Sequence, residues 1–196
     1  ALAAAACLVA ALPVAILVRR HRSPATVALE RASYVSNALP GIVVALALVF
    51  LAARYLPAVY QTVPLLLVAY VIRYFPQGLA GVDGALRAVN PRLEEAARGL
   101  GRSGIGVAWS VTLPLMRAGL VSGGTLVFLS VLRELPATLV LRPIGFETLA
   151  TDVWRETSVG AYADAAVPAL ALMLVALPVL WVASRASAAR GPAPGG

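Results

Sequence analysis

The residues with the most informative spacing lie in a polar segment, 93–120, between two long apolar runs; it reads LEEAARGLGRSGIGVAWSVTLPLMRAGL. Just before it, Asn90 is a good N-cap for a helix, and Pro91 suits the first helical position. Glu94 and Glu95 would then lie near the positive end of the helix dipole, which favours carboxylates. This pattern predicts a short helix that offers contacts to a partner rather than groups for catalysis.

The same segment contains signals for the end of that helix. Arg98 follows Glu94 by four residues, a spacing that supports a helix, and Gly99 and Gly101 end or bend it. A second amphipathic piece, SGIGVAWSVTLP, leads to Pro114 and back into apolar sequence. Together the two pieces predict a helix–turn–helix bracket beneath a membrane, with small residues that let another protein approach. The alternative is an ordinary interfacial connector whose glycines only turn the chain.

Residues for catalysis, metal binding or nucleotide binding are scarce in the sequence. One cysteine, Cys7, and one histidine, His21, are too few for a disulfide framework, a Cys/His metal site or a Ser/His/Asp set. The sequence lacks the G-x-x-x-x-G-K-[ST] pattern of ATP-binding loops. We therefore expect a chain that is not an enzyme and that has no cofactor of its own.

The composition is that of a membrane protein. Of the 196 residues, 60% are hydrophobic and 13% charged, and the mean hydropathy is +0.85; soluble domains carry about 25% charged residues. The net charge of +7 raises the question of nucleic acid. However, the arginines cluster at the ends of apolar runs, which fits the positive-inside rule of membrane proteins. We expect a lipid membrane, and no nucleic acid, as the environment.

The apolar runs predict an all-α, polytopic membrane protein with about five transmembrane helices. A single domain is expected over residues 1–184, with spans at about 1–18, 38–53, 59–76, 118–140 and 162–183, a cytoplasmic loop at 77–117 and a disordered tail at 185–196. Prolines inside the spans are tolerated in membranes, and Gly123 and Gly124 would allow close helix–helix approach. The chain begins inside an apolar run without methionine, so we expect it to be the C-terminal part of something longer.

The arginines also set the orientation. The side that we expect to be cytoplasmic carries Arg19, Arg20, Arg22, Arg31, Arg87, Arg92, Arg98, Arg102, Arg117, Arg185 and Arg190; the opposite side carries only Arg54, Arg142 and Arg155. Between the first two spans, Val27, Leu29, Tyr34 and Val35 form the apolar side of a short interfacial helix, or else belong to a plain connector.

Three groups of charges stand outside that pattern. Arg133 and Glu134 fall about 22 Å up the fourth span, where charges are costly and face a cavity or each other. They are either a gate or substrate-facing site, since carboxylates suit a hard cation, or a structural Arg–Glu pair. Arg73 is expected to snorkel to the cytoplasm. Glu147 and Asp152 belong to an outer loop that either receives a binding protein or is merely solvated.

The polar segment resembles a known signature. Glu95-Ala96-Ala97, three residues, Gly101, nine residues, Val111, one residue and Leu113-Pro114 match the cytoplasmic EAA motif of binding-protein-dependent ABC importer permeases. The resemblance implies an all-α permease core of the MetI-like type, whose loop is a coupling helix that docks on an ATPase subunit. The coupling residues that it implies are Glu94, Glu95, Ala96, Ala97, Arg98, Gly101, Leu113 and Pro114.

A second resemblance concerns the cargo. The segment VLRELPATLVLRPIGFETLATDVW resembles the second half of fused iron(III) importer permeases. It implies ferric iron uptake in a bacterial inner membrane, with an ATPase dimer that binds the ATP, an external substrate-binding protein and a second permease half, fused upstream. Permeases for thiamine, sulfate, phosphonate or polyamine are alternatives, as is an ATP-independent carrier or channel. An intramembrane enzyme would need a catalytic cluster that the sequence lacks.

Overall fold

The computed structural model describes residues 1–20 and 23–188, and the described part is helical without strands. The helices are α1 Leu2–Arg20, α2 Pro24–Ser33, α3 Gly41–Tyr55, α4 Val63–Arg87, α5 Pro91–Gly99, α6 Gly104–Val107, α7 Leu113–Leu132, α8 Pro136–Leu141, α9 Leu149–Ser158 and α10 Tyr162–Ala188, with 3-10 turns at Val35–Asn37 and Pro57–Val59 and a π turn at Ala108–Thr112. The all-α prediction is confirmed.

Four helical stretches are long and apolar enough to cross a membrane: Leu2–Arg20, Val63–Arg87, Gly104–Leu132 and Tyr162–Arg185. A fifth predicted span, 38–53, corresponds to α3. This helix has 15 residues, about 22 Å, which is short for a hydrocarbon core of about 30 Å. It reaches spanning length only together with Pro24–Asn37, from which it is bent by 101°. The bent pair contains α2, the short helix predicted between the first two spans.

Two helices have other bounds than the spans predicted for them. The third span is predicted to end at residue 76, and α4 passes through Pro76 and continues to Arg87. The fourth is predicted over 118–140, and its helix starts at Gly104, ends at Leu132 and is followed by the separate α8. Much of the segment 77–117 is therefore helical, and the bounds of the spans and of the loop stay predictions. α10 extends to Ala188 into the predicted tail, and the rest of that tail lies outside the described residues, as do His21 and Arg22.

Helices α1, α4 and α7 form the centre of the bundle. α1 runs parallel to α4, with Cys7 beside Gly78 and Arg19 paired to Asp83 at 3.5 Å. α7 runs antiparallel to α4 and crosses it so closely that a Cβ on Gly123 would lie 2.8 Å from the Cα of Gly81. The predicted close approach at Gly123 is confirmed. Since small residues line this crossing, backbone packs directly on backbone.

The short helices α3 and α8 cover the part of α4 that lies farthest from Arg87. Val44, Leu48, Leu66 and Leu141 belong to one buried cluster there. At the opposite end of the bundle α1 and α4 finish in Arg20 and Arg87, and α5 lies beside them. We call this the arginine-rich end.

Candidate coupling site and intramembrane polar cluster

Helix α5 is built by local signals that the sequence displays. The Asn90 side chain accepts a hydrogen bond from the Arg92 backbone N–H at 3.0 Å, and Pro91 occupies the first turn, where its missing N–H costs nothing. At the other end the Gly101 N–H donates to the Arg98 carbonyl at 2.9 Å, and the next N–H donates to the Ala97 carbonyl at 3.2 Å. These two bonds form a Schellman cap.

The cap explains why a glycine stands four residues after Ala97. Gly101 has a φ of +82°, in the left-handed region that residues with a Cβ avoid. Gly99, in contrast, is the last helical residue and has open space around it. Of the two glycines, only Gly101 is required by the backbone. The spacing between Ala97 and Gly101 in the motif is therefore set by the geometry of the cap at the C-terminus of α5.

Glu94 attaches α5 to the bundle. Arg20 Nη2 donates to its Oε2 at 2.8 Å, and the Thr112 hydroxyl donates to its Oε1 at 2.6 Å. Arg98 lies on the same carboxylate at 3.6 Å, and only 15% of the Glu94 side chain is exposed. One side chain thus connects the coupling loop to the end of α1 and to the segment that enters α7.

The second half of the motif provides one of those partners. Pro114 has no N–H to continue an α-helical ladder, and the chain widens into the π turn Ala108–Thr112 just before it, with the Leu113 N–H donating to the Ala108 carbonyl. Thr112 is buried within this turn, where its hydroxyl reaches Glu94. The two halves of the motif, distant in sequence, therefore meet through one hydrogen bond.

The predicted coupling residues divide between two surfaces. Glu95, Ala96, Arg98, Gly101 and Pro114 are exposed, whereas Glu94, Ala97 and Leu113 are turned wholly or partly toward their own chain. The structure adds three residues that sequence reasoning missed: Leu100, Ile105 and Trp109 are 84%, 76% and 70% exposed. A signal was present, because all three are large apolar residues inside an otherwise polar loop. Exposed apolar groups of this kind mark interaction surfaces.

A second polar site lies around Glu134, at the break between α7 and α8. Its carboxylate accepts a very short hydrogen bond from the Tyr74 hydroxyl and another from the Ala137 N–H at 3.2 Å. The Thr138 hydroxyl donates to the Glu134 carbonyl at 2.7 Å and lies 2.7 Å from the Tyr70 hydroxyl. We call Glu134, Tyr70, Tyr74 and Thr138 the Glu134 cluster. It fixes the broken segment to the middle of α4.

The structure corrects one interpretation at this site. Arg133 does not form a pair with Glu134; its Nε donates to the Leu129 carbonyl at 3.3 Å and its side chain is exposed, while Glu134 is 8% exposed. Pro136 is the first residue of α8. The two charges therefore point apart, and the interpretation of Arg133 and Glu134 as a gate or substrate-facing site stays a prediction.

Arg73 does not snorkel toward the arginine-rich end. Helix α4 continues for fourteen residues beyond it, about 21 Å, so its guanidinium lies far from that end. Its Nη1 donates to the Ser36 and Leu39 carbonyls at 3.2 and 3.0 Å. These bonds hold the 3-10 turn against α4, a tertiary role that the apolar pattern did not reveal.

The predicted acidic outer loop is largely neutralised by arginine. Arg155 lies 2.9 Å from Glu147, 2.7 Å from Asp152 and 2.8 Å from Glu156. The hydrogen bonds that Arg155 donates to Glu156 and the nearby charge of Glu147 raise the pKa of Arg155 above its usual value. This end of the bundle therefore carries less net negative charge than its carboxylates alone suggest.

Comparison with known proteins identifies the class. The family of binding-protein-dependent transport system inner membrane components matches residues 8–189. The chain belongs to this family, and it is therefore a membrane permease component. A structure of the MetNI methionine ABC transporter in inward-facing conformations has the same fold, with a TM-score of 0.70 over 97% of this chain and 90% of that one, at 18% identity.

The curated relatives have different named cargoes. The Fe(3+)-transport system permease protein FbpB 2 of Haemophilus influenzae is 35% identical over 84% of this chain, which spans about a third (32%) of the relative's length. The molybdenum transport system permease protein ModB of Mycobacterium bovis is 29% identical over 91% of the chain and 73% of its own. The putative 2-aminoethylphosphonate permease protein PhnV of Salmonella paratyphi A is 29% identical over 75% and 55%.

Proposed function

We propose that this chain is one membrane half of an ABC importer and that α5 is its coupling helix. The observation that carries the proposal is the surface at the arginine-rich end. There an anchored helix presents Glu95 and Ala96, beside the exposed apolar side chains Leu100, Ile105 and Trp109. So much exposed apolar area is unfavourable in a solvated loop, whereas a docked ATPase subunit would bury it. This end faces the bacterial cytoplasm in our proposal.

The contacts of Glu94 indicate how a partner's motion would enter the bundle. ATP would bind in a dimer of ATPase subunits, whose closure displaces α5. Because Glu94 holds both Arg20 and Thr112, α1 and α7 would follow that displacement. A second permease half would line the opposite side of the path, and an external binding protein would deliver the cargo. Such coupling requires that the partner bind the two global states of the permease differently.

Co-purification tests the docking surface. We expect Glu95→Lys and Leu100→Asp in the full-length permease to release the ATPase, since both side chains are exposed on the loop. The matched control is Glu156→Lys, an acidic residue in α9 on a different surface of the chain. ATPase retained and stimulated in both loop variants as in the parent protein would refute the docking assignment.

For the cargo we propose ferric iron. Support comes from the Haemophilus influenzae relative, which is 35% identical over 84% of this chain. The molybdenum and phosphonate relatives indicate other cargoes. The molybdenum relative is matched over a larger share of its own length than the Haemophilus influenzae relative is. Uptake of radioactive iron should fall when the gene is deleted and return on complementation. Unchanged iron uptake, with loss of molybdate or phosphonate uptake, would reassign the cargo.

A further inference from the structure

A cavity with both polar and apolar walls lies next to the Glu134 cluster. It has a volume of ≈ 400 Å³ and is lined by Tyr34, Asn37, Arg73, Tyr74, Pro76, Gln77 and Ala80. The face of α4 that contains Arg73 and Gln77 forms one wall, and the 3-10 turn forms the other. The cavity therefore lies where Arg73 fixes the bent pair to the bundle.

The depth and the lining of the cavity favour a polar occupant. Gln77 lies ten residues before the end of α4 at Arg87, about 15 Å along the helix. Lipid chains at that depth would leave the side-chain amides of Asn37 and Gln77 without partners, which is costly in hydrocarbon. Water or a polar solute is consequently the occupant that these walls accommodate.

Two buried groups beside the cavity lack a hydrogen-bond partner among the described residues: Arg73 Nε and the Ser36 hydroxyl. Ser36 is the central residue of the 3-10 turn, and Arg73 binds its carbonyl through a different nitrogen. A buried polar group without a partner calls for an explanation such as an ion or an ordered solute. Both groups can donate; because neither is open to solvent, the 3-10 turn would have to move slightly before an oxygen-rich solute could reach them.

The acidic residue nearest this region is already engaged. Both oxygens of Glu134 accept hydrogen bonds, one from Tyr74 and one from Ala137. None of the described lining residues is acidic. A bare trivalent metal ion needs hard, negatively charged oxygen ligands, and it would meet a guanidinium here instead. Donors therefore exceed acceptors in this cavity.

We propose that this cavity binds an oxygen-rich anion, either a free oxyanion or a metal chelate with an anionic surface, rather than a bare metal cation. The proposal rests on the transport function proposed above, since it assigns the form in which cargo contacts this chain. Ferric iron would then pass as a complex with an anionic ligand. Arg73 provides the charge, and Asn37 and Gln77 provide amide donors.

Gln77 offers a sharp test, since the described residues give its side chain no hydrogen bond that a substitution would break. The full-length permease with its ATPase is placed in phosphatidylcholine nanodiscs without a binding protein. Binding is measured for radioactive molybdate, for radioactive ferric citrate and, by luminescence, for Tb³⁺ as a bare trivalent cation. Gln77→Glu should weaken binding of both anions about tenfold or more, because a carboxylate would repel them, and should create Tb³⁺ binding. Gln61→Glu, the same change in the loop before α4, should alter neither.

Gln77→Leu provides a second variant, which removes the amide without adding charge and should weaken both anions less than Gln77→Glu does. Retention of the ATPase in each variant reports that the fold survives. Molybdate binding alone supports an oxyanion site, and ferric citrate binding alone supports a chelate site. The proposal is overturned if the parent protein binds neither anion, if it binds Tb³⁺ more tightly than either, or if Gln77→Glu leaves anion binding unchanged. Failure of ATPase retention in the parent would instead refute the coupling function, which the molybdate measurement does not require.

Discussion

Two carboxylates, Glu94 and Glu134, lie at the two ends of α7, and their surroundings differ. Glu94 binds the charged Arg20 and Arg98 at the arginine-rich end, where those partners are 43% and 47% exposed. Glu134 is buried, and its carboxylate binds the uncharged Tyr74 hydroxyl and a backbone N–H. Exposed ion pairs contribute little and exchange readily, whereas a buried carboxylate is costly to leave without its donors. The coupling site is therefore suited to rearrange, whereas the Glu134 cluster is suited to remain closed.

The helix crossing between the two sites determines whether they act together. Gly81 meets Gly123 with no side chain between them, and Gly119 meets Ala85 in the same way. Such contacts resist sliding and separation because the backbones already touch. We therefore expect α4 and α7 to move as one body, so that a displacement at Glu94 reaches the Glu134 cluster undiminished.

The largest effect should come from reversing the charge at the coupling site. Glu94→Arg replaces the attraction to Arg20 and Arg98 with repulsion and removes the acceptor of the Thr112 hydroxyl. We expect ATP-driven uptake in proteoliposomes to fall about tenfold or more, as the loop loses its anchor. ATP hydrolysis should persist, so the rate of uptake would fall while the rate of hydrolysis would not.

A charge swap distinguishes this anchor from a general loss of fold. Arg20→Glu combined with Glu94→Arg restores one opposite pair, and we expect it to recover part of the uptake that each single change removes. If Glu94→Arg transports like the parent protein, the coupling site is not an anchor and the contrast with Glu134 disappears.

The second effect concerns the closed site. In Glu134→Gln one of the two carboxylate oxygens becomes an amide nitrogen, so either the Ala137 N–H loses its acceptor or the Tyr74 hydroxyl keeps only the Ser130 carbonyl as its acceptor. The free energy of unfolding should fall by about 2 kcal/mol, measured by thermal unfolding in detergent. Glu95→Gln, the same change at an exposed position, should leave the unfolding midpoint in place. Equal unfolding midpoints for Glu134→Gln and Glu95→Gln would show that the hydrogen bonds of Glu134 do not hold the Glu134 cluster closed.

These two sites also differ in how well the sequence predicted them. The ends of α5 depend on neighbours within a few residues, so Asn90, Pro91 and Gly101 predicted the helix correctly. The Glu134 cluster depends on Tyr70 and Tyr74, more than fifty residues away, and nothing in the apolar pattern places them opposite the break at Pro136. The same limit explains Arg73, whose partners lie in a turn that precedes it by more than thirty residues.

The sequence also predicted helix lengths poorly. The third span was predicted to end at residue 76, where the apolar run ends, yet α4 continues to Arg87, and Asp83 pairs with Arg19 and Arg87 near its end. The 101° bend between Pro24–Asn37 and α3 could not be predicted from the apolar pattern either. Hydropathy records which residues prefer lipid, and it carries no information on which polar side chains find partners.

The third effect tests the connection between the sites. A Cβ in Gly123→Ala would lie 2.8 Å from the Gly81 Cα, so α4 and α7 would have to separate. We expect a loss of roughly 1–2 kcal/mol in the free energy of unfolding. Gly84→Ala on the same helix as Gly81 has open space and should be neutral or slightly stabilising, because alanine favours a helix. If Gly123→Ala unfolds no earlier than Gly84→Ala, the two helices are not locked together.

The smallest effect separates the two glycines of the coupling loop. Gly101→Ala places a Cβ at a φ of +82°, which costs about 1 kcal/mol and weakens the cap of α5. Gly99→Ala introduces the same methyl group at a helical position with open space and should stabilise α5 by a few tenths of a kcal/mol. Amide hydrogen exchange over 91–102 should therefore quicken in the first variant and slow in the second. Opposite changes in ATPase retention should accompany them, since the partner would bind the ordered helix. Identical behaviour of the two variants would mean that the glycine spacing of the motif reflects a direct contact with the partner rather than the end of the helix, and the local explanation of the coupling site would have to be replaced.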